Sequence, residues 1–207
     1  MTTPSREQVP RGTRLPRQAR RKQLLGAAQE VFVAQGYHGA AMDDIAERAG
    51  VSKPVLYQHF PGKLDLYLAL LDEHAADLTR KVRVALQSTT DNKARVAACV
   101  AAYFEFVDGD GEAFRLVFES DLRNDPAVRS RVEQMTQDCV SAIAETIAHD
   151  TGFREEEARL LSVGLAGLAE VGARWWLASE GILSKDRAVE LISTLSWRGI
   201  SGSPRTG

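Results

Sequence analysis

The most informative spacing in the sequence lies between Asp44 and Phe60, where two short helical segments meet at a glycine. Ala46 is small enough to let two helix backbones cross closely, and Gly50, four residues later, accepts the positive φ of a tight turn. Three apolar residues are spaced to lock the second helix onto the first: Ile45, Val51 and Leu56. A helix-turn-helix of this kind can lay its second helix in the major groove of DNA. An ordinary helical hairpin with a glycine turn is the alternative.

Catalytic and metal-binding patterns are absent from the sequence. It contains no Gly-x-Ser-x-Gly elbow, Walker loop, His-Glu-x-x-His or dinucleotide fingerprint. Cys99 and Cys139 lie forty residues apart in helical patterns, which favours buried thiols in a reducing compartment. Asp108-Gly109-Asp110-Gly111 is interpreted as a turn, because the other ligands of a calcium loop are missing. Ligand spacing is also missing among the four histidines, His38, His59, His74 and His149. We therefore expect no enzyme, no metal and no cofactor.

The helix-turn-helix residues resemble the tetracycline-repressor (TetR/AcrR) family of bacterial transcription regulators. The resemblance covers residues 20–70, and the remaining chain is similar to the family only in length and helical character. It implies an all-α fold, with a three-helix DNA-binding domain followed by a helical domain that binds a ligand and dimerises. The matching segments are Gly36-Tyr37, Asp44-Ile45-Ala46-Glu47-Arg48-Ala49-Gly50-Val51-Ser52 and Lys53-Pro54-Val55-Leu56-Tyr57-Gln58-His59-Phe60, with Lys63 beyond them.

The resemblance also implies a role for each matching position of the second helix. Lys53, Pro54 and Val55 would open the recognition helix and meet base edges, since lysine bonds guanine acceptors and proline packs on a thymine methyl. Gln58 would lie on the same exposed face, within reach of adenine or a phosphate. Phosphate contacts fix register rather than sequence, and they are expected from Ser52, Tyr57, His59 and Lys63.

Two features depart from the family pattern. The family usually has Ser or Thr just before the second helix, whereas Ala40 and Ala41 stand there in this sequence. The hydroxyl contact with phosphate is therefore lost or passes to backbone N–H groups. Asp43 lies near the side expected to face DNA, where a carboxylate repels phosphate. We interpret it as stabilising the helix dipole, with recognition of a cytosine amino group as the alternative.

Positive charge is concentrated at the beginning of the chain. The formal net charge is −2, yet residues 1–63 hold 10 Lys and Arg against 5 Asp and Glu. Residues 1–17, rich in proline and arginine, predict a disordered basic arm. Such an arm either enters the adjacent minor groove or adds non-specific attraction to DNA. Arg20 and Arg21, just after it, are further candidates for DNA contacts.

Helical periodicity continues from the arm to the end of the chain. Apolar residues recur at helical spacing from Leu24 to Phe32, and Gly36 is expected to end this first helix. No alternating run of strand type is found, so the sequence predicts an all-α architecture of about nine helices. Residues 18–65 are assigned to the DNA-binding domain and residues 66–207 to the ligand-binding and dimerisation domain.

An aromatic cluster is the candidate ligand site of the larger domain. A cluster of this kind forms either plain core or the lining of an apolar cavity, and the resemblance implies a cavity inside this domain. Glu170 would mark the polar end of that cavity. The candidate ligand-binding residues are Tyr103, Phe104, Phe114, Phe118, Leu168, Glu170 and Trp175.

The segment Leu160–Leu177 is rich in glycine and alanine, which allow close approach of helices. The resemblance implies that the last two helices pair with those of a second copy. Leu160–Leu177 and Ala188–Ile200 are therefore assigned to dimerisation, with tight packing inside one subunit as the alternative. Trp175 and Trp176 point about 100° apart on a helix, so one is expected in the core or pocket and the other at the interface.

These observations together predict a ligand-responsive DNA-binding regulator. We expect a repressor that binds a palindromic operator as a homodimer and is released by a small apolar or amphipathic molecule. Its partners would be double-stranded operator DNA, a second copy of the chain and an unidentified small-molecule effector. A larger domain that only dimerises or binds a protein partner is the alternative. Without an apolar leader or a membrane-length apolar run, the protein is expected in the cytoplasm, at the nucleoid when bound to DNA.

Overall fold

The structure is a computed structural model that describes residues 15–109, 122, 124–179 and 181–199. All regular structure within these ranges is α-helical, which confirms the predicted fold class. The eight helices of the described ranges are α1 (Arg17–Gly39), α2 (Met42–Arg48), α3 (Lys53–His59), α4 (Lys63–Gln87), α5 (Asn92–Gly109), α6 (Pro126–Thr151), α7 (Glu155–Ala178) and α8 (Lys185–Arg198). Helix α1 begins at Arg17, so the last residue of the predicted arm is helical, while residues 1–14 lie outside the described ranges.

Helices α1, α2 and α3 form a small bundle around one apolar cluster. The face of α1 that carries Leu24, Ala28 and Phe32 is buried, as its periodicity predicts. Gly36 breaks α1 three residues before its end rather than ending it. Its φ of 70° lies in the left-handed region, which glycine enters without the steric cost that a Cβ imposes.

Helix α4 connects this bundle to the larger domain. Near its beginning, the buried ring of Tyr67 meets Phe32 edge-on, with ring centroids 5.3 Å apart. Further along, α4 packs against α5 and α6. Its buried residues, including Leu66, Leu78 and Val82, follow helical spacing along one side. The helix therefore contributes to both cores, and the boundary proposed at residue 65 falls within its first turn.

Helices α5 to α8 form the larger domain. Helix α6 packs between α4 and α7, while α5 packs against both α7 and α8. Asp125 begins α6 by accepting hydrogen bonds from the backbone N–H groups of Ala127 (2.8 Å) and Val128 (3.3 Å). Gly152 ends α6 in the left-handed conformation, with φ 71°. Asp125 and Gly152 thus mark the two ends of α6.

A helix that crosses a membrane must be both long and apolar. Among the helices of the described ranges, none combines the length and the apolar character needed to cross a bilayer.

Candidate DNA-binding surface and apolar cavity

The turn between α2 and α3 has the geometry that its spacing predicts. Gly50 adopts a φ of 63°, and the Val51 N–H donates to the Ala46 carbonyl over 3.0 Å. Ala46 is buried where the two helices approach. Leu56, fully buried, fastens α3 onto the bundle. The prediction of a helix-turn-helix from residue spacing is therefore confirmed, and α3 is the helix free to meet DNA.

One face of α3 is turned to solvent. Lys53, Pro54 and Gln58 are exposed, and Tyr57 is 41% exposed although it is a large aromatic residue. Val55 and His59 are half-buried at the flanks of this face. Ser52 is exposed at the start of α3 and makes no side-chain hydrogen bond to the helix. Its backbone carbonyl accepts from Val55 over 2.9 Å instead.

Asp43 and Lys53 form an ion pair between α2 and α3. The Lys53 Nζ lies 2.8 Å from Oδ1 and 3.1 Å from Oδ2 of Asp43. The hydrogen bond to this carboxylate raises the pKa of Lys53, so the ammonium is fully charged. From the sequence, Asp43 is predicted to be a dipole partner or a base contact. The pairing with Lys53 does not follow from the sequence pattern, because the two residues are ten positions apart and meet only when the turn has closed.

Lys63 contacts the end of α1 rather than open solvent. Its Nζ donates to the carbonyls of Tyr37 (2.7 Å) and Ala40 (2.8 Å), and it lies 4.5 Å from the centre of the Tyr37 ring. Carbonyl oxygens attract a cation because they carry partial negative charge. The phosphate contact expected of Lys63 would require these bonds to break. The structure thus gives this lysine a role in holding α4 to α1.

A basic cluster lies beside the far end of α3. The Arg21 guanidinium stands 4.5 Å from the centre of the Phe60 ring, and Arg20 hydrogen-bonds Gln23 over 2.8 Å. Burial lowers the pKa of His59, and the charges of Arg17, Arg21 and Arg20 lower it further. The structure therefore brings the predicted Arg20, Arg21 and His59 together, with neutral His59 beside permanent cations.

A cavity of about 370 Å³ lies inside the larger domain. Its wall is mainly apolar, and polar groups gather at one end around Arg95 and Asp150. Neither residue is a candidate from the sequence pattern, because the two are 55 positions apart and meet only in the folded chain. The lining residues come from the end of α4, from α5 to α8 and from the α6–α7 turn: Leu86, Asn92, Arg95, Val96, Cys99, Val100, Tyr103, Ile143, Thr146, Ile147, Asp150, Thr151, Phe153, Leu161, Leu165, Ala166, Ala169, Ser196 and Trp197.

The titratable groups in the apolar part of this wall are neutral. Burial raises the pKa of the Cys99 thiol to about 12 and raises the pKa of Tyr103, with smaller contributions from Cys139 and Glu170. A thiol in this environment is a poor nucleophile, because the thiolate is the reactive form. The chamber can therefore hold an apolar group, and its chemistry is that of binding.

The predicted ligand-binding residues lie at different places in the structure. Tyr103 lines the cavity, and Glu170 lies near enough to perturb its pKa. Leu168 and Trp175, with Phe104, line a different, open groove over α7 and α8, so the structure does not place them at this cavity, and their part in ligand binding stays a prediction. Adjacent residues on a helix point about 100° apart, which is why Tyr103 and Phe104 face different sides of α5. Phe114 and Phe118 lie outside the described ranges.

The two adjacent tryptophans of α7 also separate. Trp176 is half-buried against Phe104, with ring centroids 5.6 Å apart, and its Nε1 donates to the Leu183 carbonyl over 2.9 Å. Trp175 is 58% exposed. One ring therefore belongs to the core of the subunit and the other to its surface, as the helical angle predicts.

The outer face of α7 and α8 is an exposed apolar surface. Large side chains project from it, and an added Cβ at Gly164 or Gly167 would meet nothing within 4 Å. At Gly172, by contrast, the same Cβ would lie 2.9 Å from Ile192 Cδ1. The small residues of α7 thus serve two purposes. Gly172 and the buried Ala166, Ala169 and Ala173 pack inside the subunit, whereas Gly164 and Gly167 leave a smooth outer surface. We call the exposed apolar residues of this face the α7–α8 surface: Leu160, Val163, Leu168, Val171, Trp175 and Leu191.

The fold and the exposed face of α3 define a helix-turn-helix transcription regulator. Residues 24–70 match the family model described as bacterial regulatory proteins, tetR family. The chain is 48% identical over 196 residues to the HTH-type transcriptional activator FasR of Mycolicibacterium smegmatis. The aligned region covers 95% of this chain and 90% of that protein. The chain therefore belongs to the tetR family of DNA-binding transcription regulators, which are not enzymes.

Solved structures are similar over most of the chain. A FadR from Bacillus subtilis, solved in complex with stearoyl-CoA, aligns with a TM-score of 0.73 at 19% identity and covers 86% of this chain and 98% of its own. A TetR-like regulator from Rhodococcus sp. RHA1 aligns with a TM-score of 0.68 at 26% identity, covering 92% of this chain and 100% of its own. These similarities confirm the all-α architecture with its N-terminal helix-turn-helix.

Proposed function

We propose that the protein is an effector-responsive regulator that binds operator DNA as a homodimer, and that its effector carries a long acyl chain. The observation that carries the proposal is the apolar cavity of about 370 Å³ with polar groups at one end. A cavity of this volume and lining is typical of small-molecule sites. It favours an effector over the alternative in which the larger domain only dimerises or binds another protein.

The class of effector is argued from the cavity and from a structural relative. An acyl chain offers an apolar surface without hydrogen-bonding groups, which suits a wall of Val96, Val100, Ile143 and Leu165. The polar end near Arg95 suits the head of such a molecule. The FadR of Bacillus subtilis, of similar fold, was solved with stearoyl-CoA. We therefore propose an acyl thioester or a free fatty acid as the effector of this chain.

We propose that two copies pair through the α7–α8 surface. An exposed apolar stripe of this length is costly in water, and burial against an identical stripe removes the cost. The exposed Leu160, Val171 and Trp175 lie along this stripe. Two-fold pairing would place two α3 helices about one turn of DNA, ~34 Å, apart or somewhat more, and would match a palindromic operator.

The direction of regulation is proposed from the relative at 48% identity. The sequence alone predicted a repressor, whereas FasR of Mycolicibacterium smegmatis is named an activator. We therefore propose activation in place of repression. In vitro transcription from a promoter that carries the selected operator tests this directly. Added protein should raise the transcript level, and a lower level would restore the original prediction.

Helix α4 is the proposed route from the cavity to DNA. Leu86, near the end of α4, lines the cavity, while Tyr67, near its beginning, packs on Phe32 of α1. The two positions are about 30 Å apart along a helix that rises 1.5 Å per residue. A small tilt of α4 in each subunit would change the spacing of the two α3 helices. A typical coupling of about 1–3 kcal/mol would change DNA affinity about 5- to 150-fold.

The experiment is a calorimetric titration of palmitoyl-CoA into the protein, with and without saturating operator. The operator is first obtained by selection from a random duplex pool. Linkage requires operator to change palmitoyl-CoA affinity by the factor by which palmitoyl-CoA changes operator affinity. Equal affinity in both titrations would reject the switch, and no binding of any acyl compound would reject the effector class.

A matched pair of variants links the binding to the cavity. Val96→Phe adds a ring to a residue that lines the chamber, whereas Ala97→Phe adds one at the next position, outside the lining. We expect the first to weaken palmitoyl-CoA binding and the second to leave it unchanged. The reverse result would place the ligand elsewhere in the molecule.

A further inference from the structure

The turn of the helix-turn-helix is bonded to α1 as well as to α2. Within the turn, the backbone N–H groups of Ala49, Gly50 and Val51 donate to carbonyls of α2. From outside it, Gln23 Nε2 of α1 donates to the Ala49 carbonyl over 2.8 Å. The last carbonyls of a helix have no partner in that helix, and Ala49 is buried. Gln23 therefore supplies the end of α2 with a donor that α2 itself cannot provide.

The other end of the same amide meets a basic side chain. Arg20 Nη1, one turn earlier on α1, donates to Gln23 Oε1 over 2.8 Å. The orientation of the amide is fixed by its two partners, because a guanidinium only donates and a carbonyl only accepts. Gln23 is exposed and takes no part in the apolar core. One amide thus joins a cation at the surface to the backbone of the turn.

Arg20 stands where it can also meet DNA. It is half-buried and belongs to the basic cluster, with Arg21 and His59, beside the far end of α3. A guanidinium has five N–H donors, and the bond to Gln23 uses one of them. The other donors can bind a DNA phosphate while the bond to Gln23 stays in place. The amide of Gln23 then lies between a phosphate contact and the turn that precedes α3.

We propose that Gln23 is a positioning residue for operator recognition, which couples the phosphate contact of Arg20 to the orientation of α3. Phosphate contacts fix the register of a protein on DNA, whereas base contacts read the sequence. A firm connection between the two ensures that the register set at the backbone is the one in which Lys53 and Gln58 face base edges. Gln23 itself needs no contact with DNA. The proposal starts from the phosphate contact predicted for Arg20 and depends on neither the cavity nor its effector.

The test is a double-mutant cycle of Gln23→Met and Arg20→Met on the intact protein. Fluorescence anisotropy measures binding of each variant to the selected operator and to random duplex at several salt concentrations. Gln23→Met removes both hydrogen bonds of the amide, keeps the length of the side chain and leaves the net charge unchanged. Gln18→Met is the matched control, because Gln18 is an exposed glutamine of α1 that lies about 140° around the helix from Gln23.

Gln23→Met should lower the preference for operator over random duplex about three- to tenfold per half-site, as expected for one lost hydrogen bond. Although glutamine is uncharged, the salt slope of operator binding should fall by about one per subunit, because Arg20 no longer holds its phosphate. Arg20→Met should reduce the slope by the same amount. The double variant should lose no more slope or preference than Arg20→Met alone, since coupled residues give non-additive effects. Gln18→Met should match the wild type.

A purely structural role of Gln23 gives a different set of results. Gln23→Met would then lower the midpoint of urea unfolding and leave the salt slope unchanged, and its loss of preference would add to that of Arg20→Met. This additive result would overturn the proposal. An unchanged slope in Arg20→Met would also overturn it, because the phosphate contact from which it starts would be absent. Neither outcome bears on the effector-responsive function proposed above.

Gln23→Glu keeps the test decisive if Gln23→Met fails to fold. The carboxylate still accepts from Arg20, but it cannot donate to the Ala49 carbonyl. The added charge weakens binding to both duplexes, so the readout for this variant is the ratio of the two affinities. We expect the preference for operator to fall as in Gln23→Met. A preference equal to that of the wild type would show that the bond to Ala49 has no part in recognition and would reject the coupling.

Discussion

Lys53 on the exposed face of α3 is held by Asp43 of α2, with Nζ 2.8 Å from Oδ1. Both side chains are more than half exposed, and an exposed ion pair of this kind adds little to stability because water screens it. Its effect is therefore on the direction of the lysine rather than on the fold. Asp43 limits the positions that the ammonium can occupy when α3 meets DNA. We therefore expect Lys53, held in this way, to discriminate among bases better than a lysine that is free to reach any nearby phosphate, since phosphate contacts carry no sequence information.

The first prediction concerns Asp43→Asn. Removal of the carboxylate releases Lys53 and removes a charge that repels phosphate. We expect tighter binding to every DNA sequence and a smaller preference for operator over random duplex, measured by fluorescence anisotropy across salt concentrations. Glu47→Gln removes one negative charge from the same helix and serves as the control. If both variants changed affinity and preference equally, the effect would be general charge and not the position of Lys53.

The second prediction concerns Lys53→Ala. If Lys53 contacts a base edge as predicted, its loss should cost about 1–3 kcal/mol of operator binding and relax the preference at one base position of each half-site. Binding to a set of operator duplexes with single substitutions measures this. A uniform loss across all duplexes would instead show that Lys53 contacts only phosphate.

The third prediction concerns Lys63→Met, which keeps the apolar stem and removes the charge. The bonds to Tyr37 and Ala40 are lost, and hydrogen bonds from charged groups are worth about 1.5–3 kcal/mol when well shielded. Because Lys63 is half-buried, we expect about 1–2 kcal/mol of lost stability in urea unfolding. The salt dependence of DNA binding should not change. Lys93→Met, at an exposed position of α5, is the control. If Lys63→Met instead flattened the salt dependence of DNA binding and left stability unchanged, Lys63 would be a phosphate contact.

The fourth prediction concerns pH. In the free protein the pKa of His59 lies below its ordinary 6.5, so the ring is neutral at neutral pH. A phosphate beside the ring would raise that pKa, and DNA binding would then take up a proton. Operator affinity should therefore rise as pH falls from the pKa of the complex to that of the free protein. Each pH unit between the pKa of His59 in the free protein and its pKa in the complex changes operator affinity by at most tenfold, about 1.4 kcal/mol.

His59→Gln should abolish this pH dependence, because glutamine keeps a hydrogen-bond donor without titrating. His149→Gln, far from α3 in sequence and on the larger domain, should leave it unchanged. Anisotropy titrations at several pH values and constant ionic strength give the comparison. A pH dependence that persists in the His59 variant would assign the proton to another group.

The fifth prediction concerns the α7–α8 surface. Val171→Glu places a charge at the centre of the proposed interface, where burial of an unpaired carboxylate is expensive. Sedimentation should show the variant as a monomer at concentrations where the wild type is a dimer, with weaker operator binding. Val84→Glu changes a similarly exposed valine of α4, 57% against 53% exposed, and should leave the dimer intact. A dimeric Val171 variant would place the interface elsewhere.

The sequence by itself determined the helix-turn-helix, the all-α class and the family. These features depend on residues that are close in the chain, because Ala46, Gly50 and Leu56 act through one turn and two adjacent helices. Local spacing carries such information, and a family motif at fixed spacing adds to it. The exposed face of α3 follows from the same local geometry.

Tertiary structure decided which side chains meet across the fold. The sequence pattern predicts Lys63 at DNA and Tyr103 and Trp175 in one pocket, and it does not predict the pairing of Arg95 with Asp150. Each of these depends on how helices distant in sequence rotate and pack against each other. Neighbouring residues on a helix point about 100° apart, so one can line a cavity while the next faces the outer surface. Composition and periodicity show that a helix has a buried side, but only the packed structure decides what that side faces.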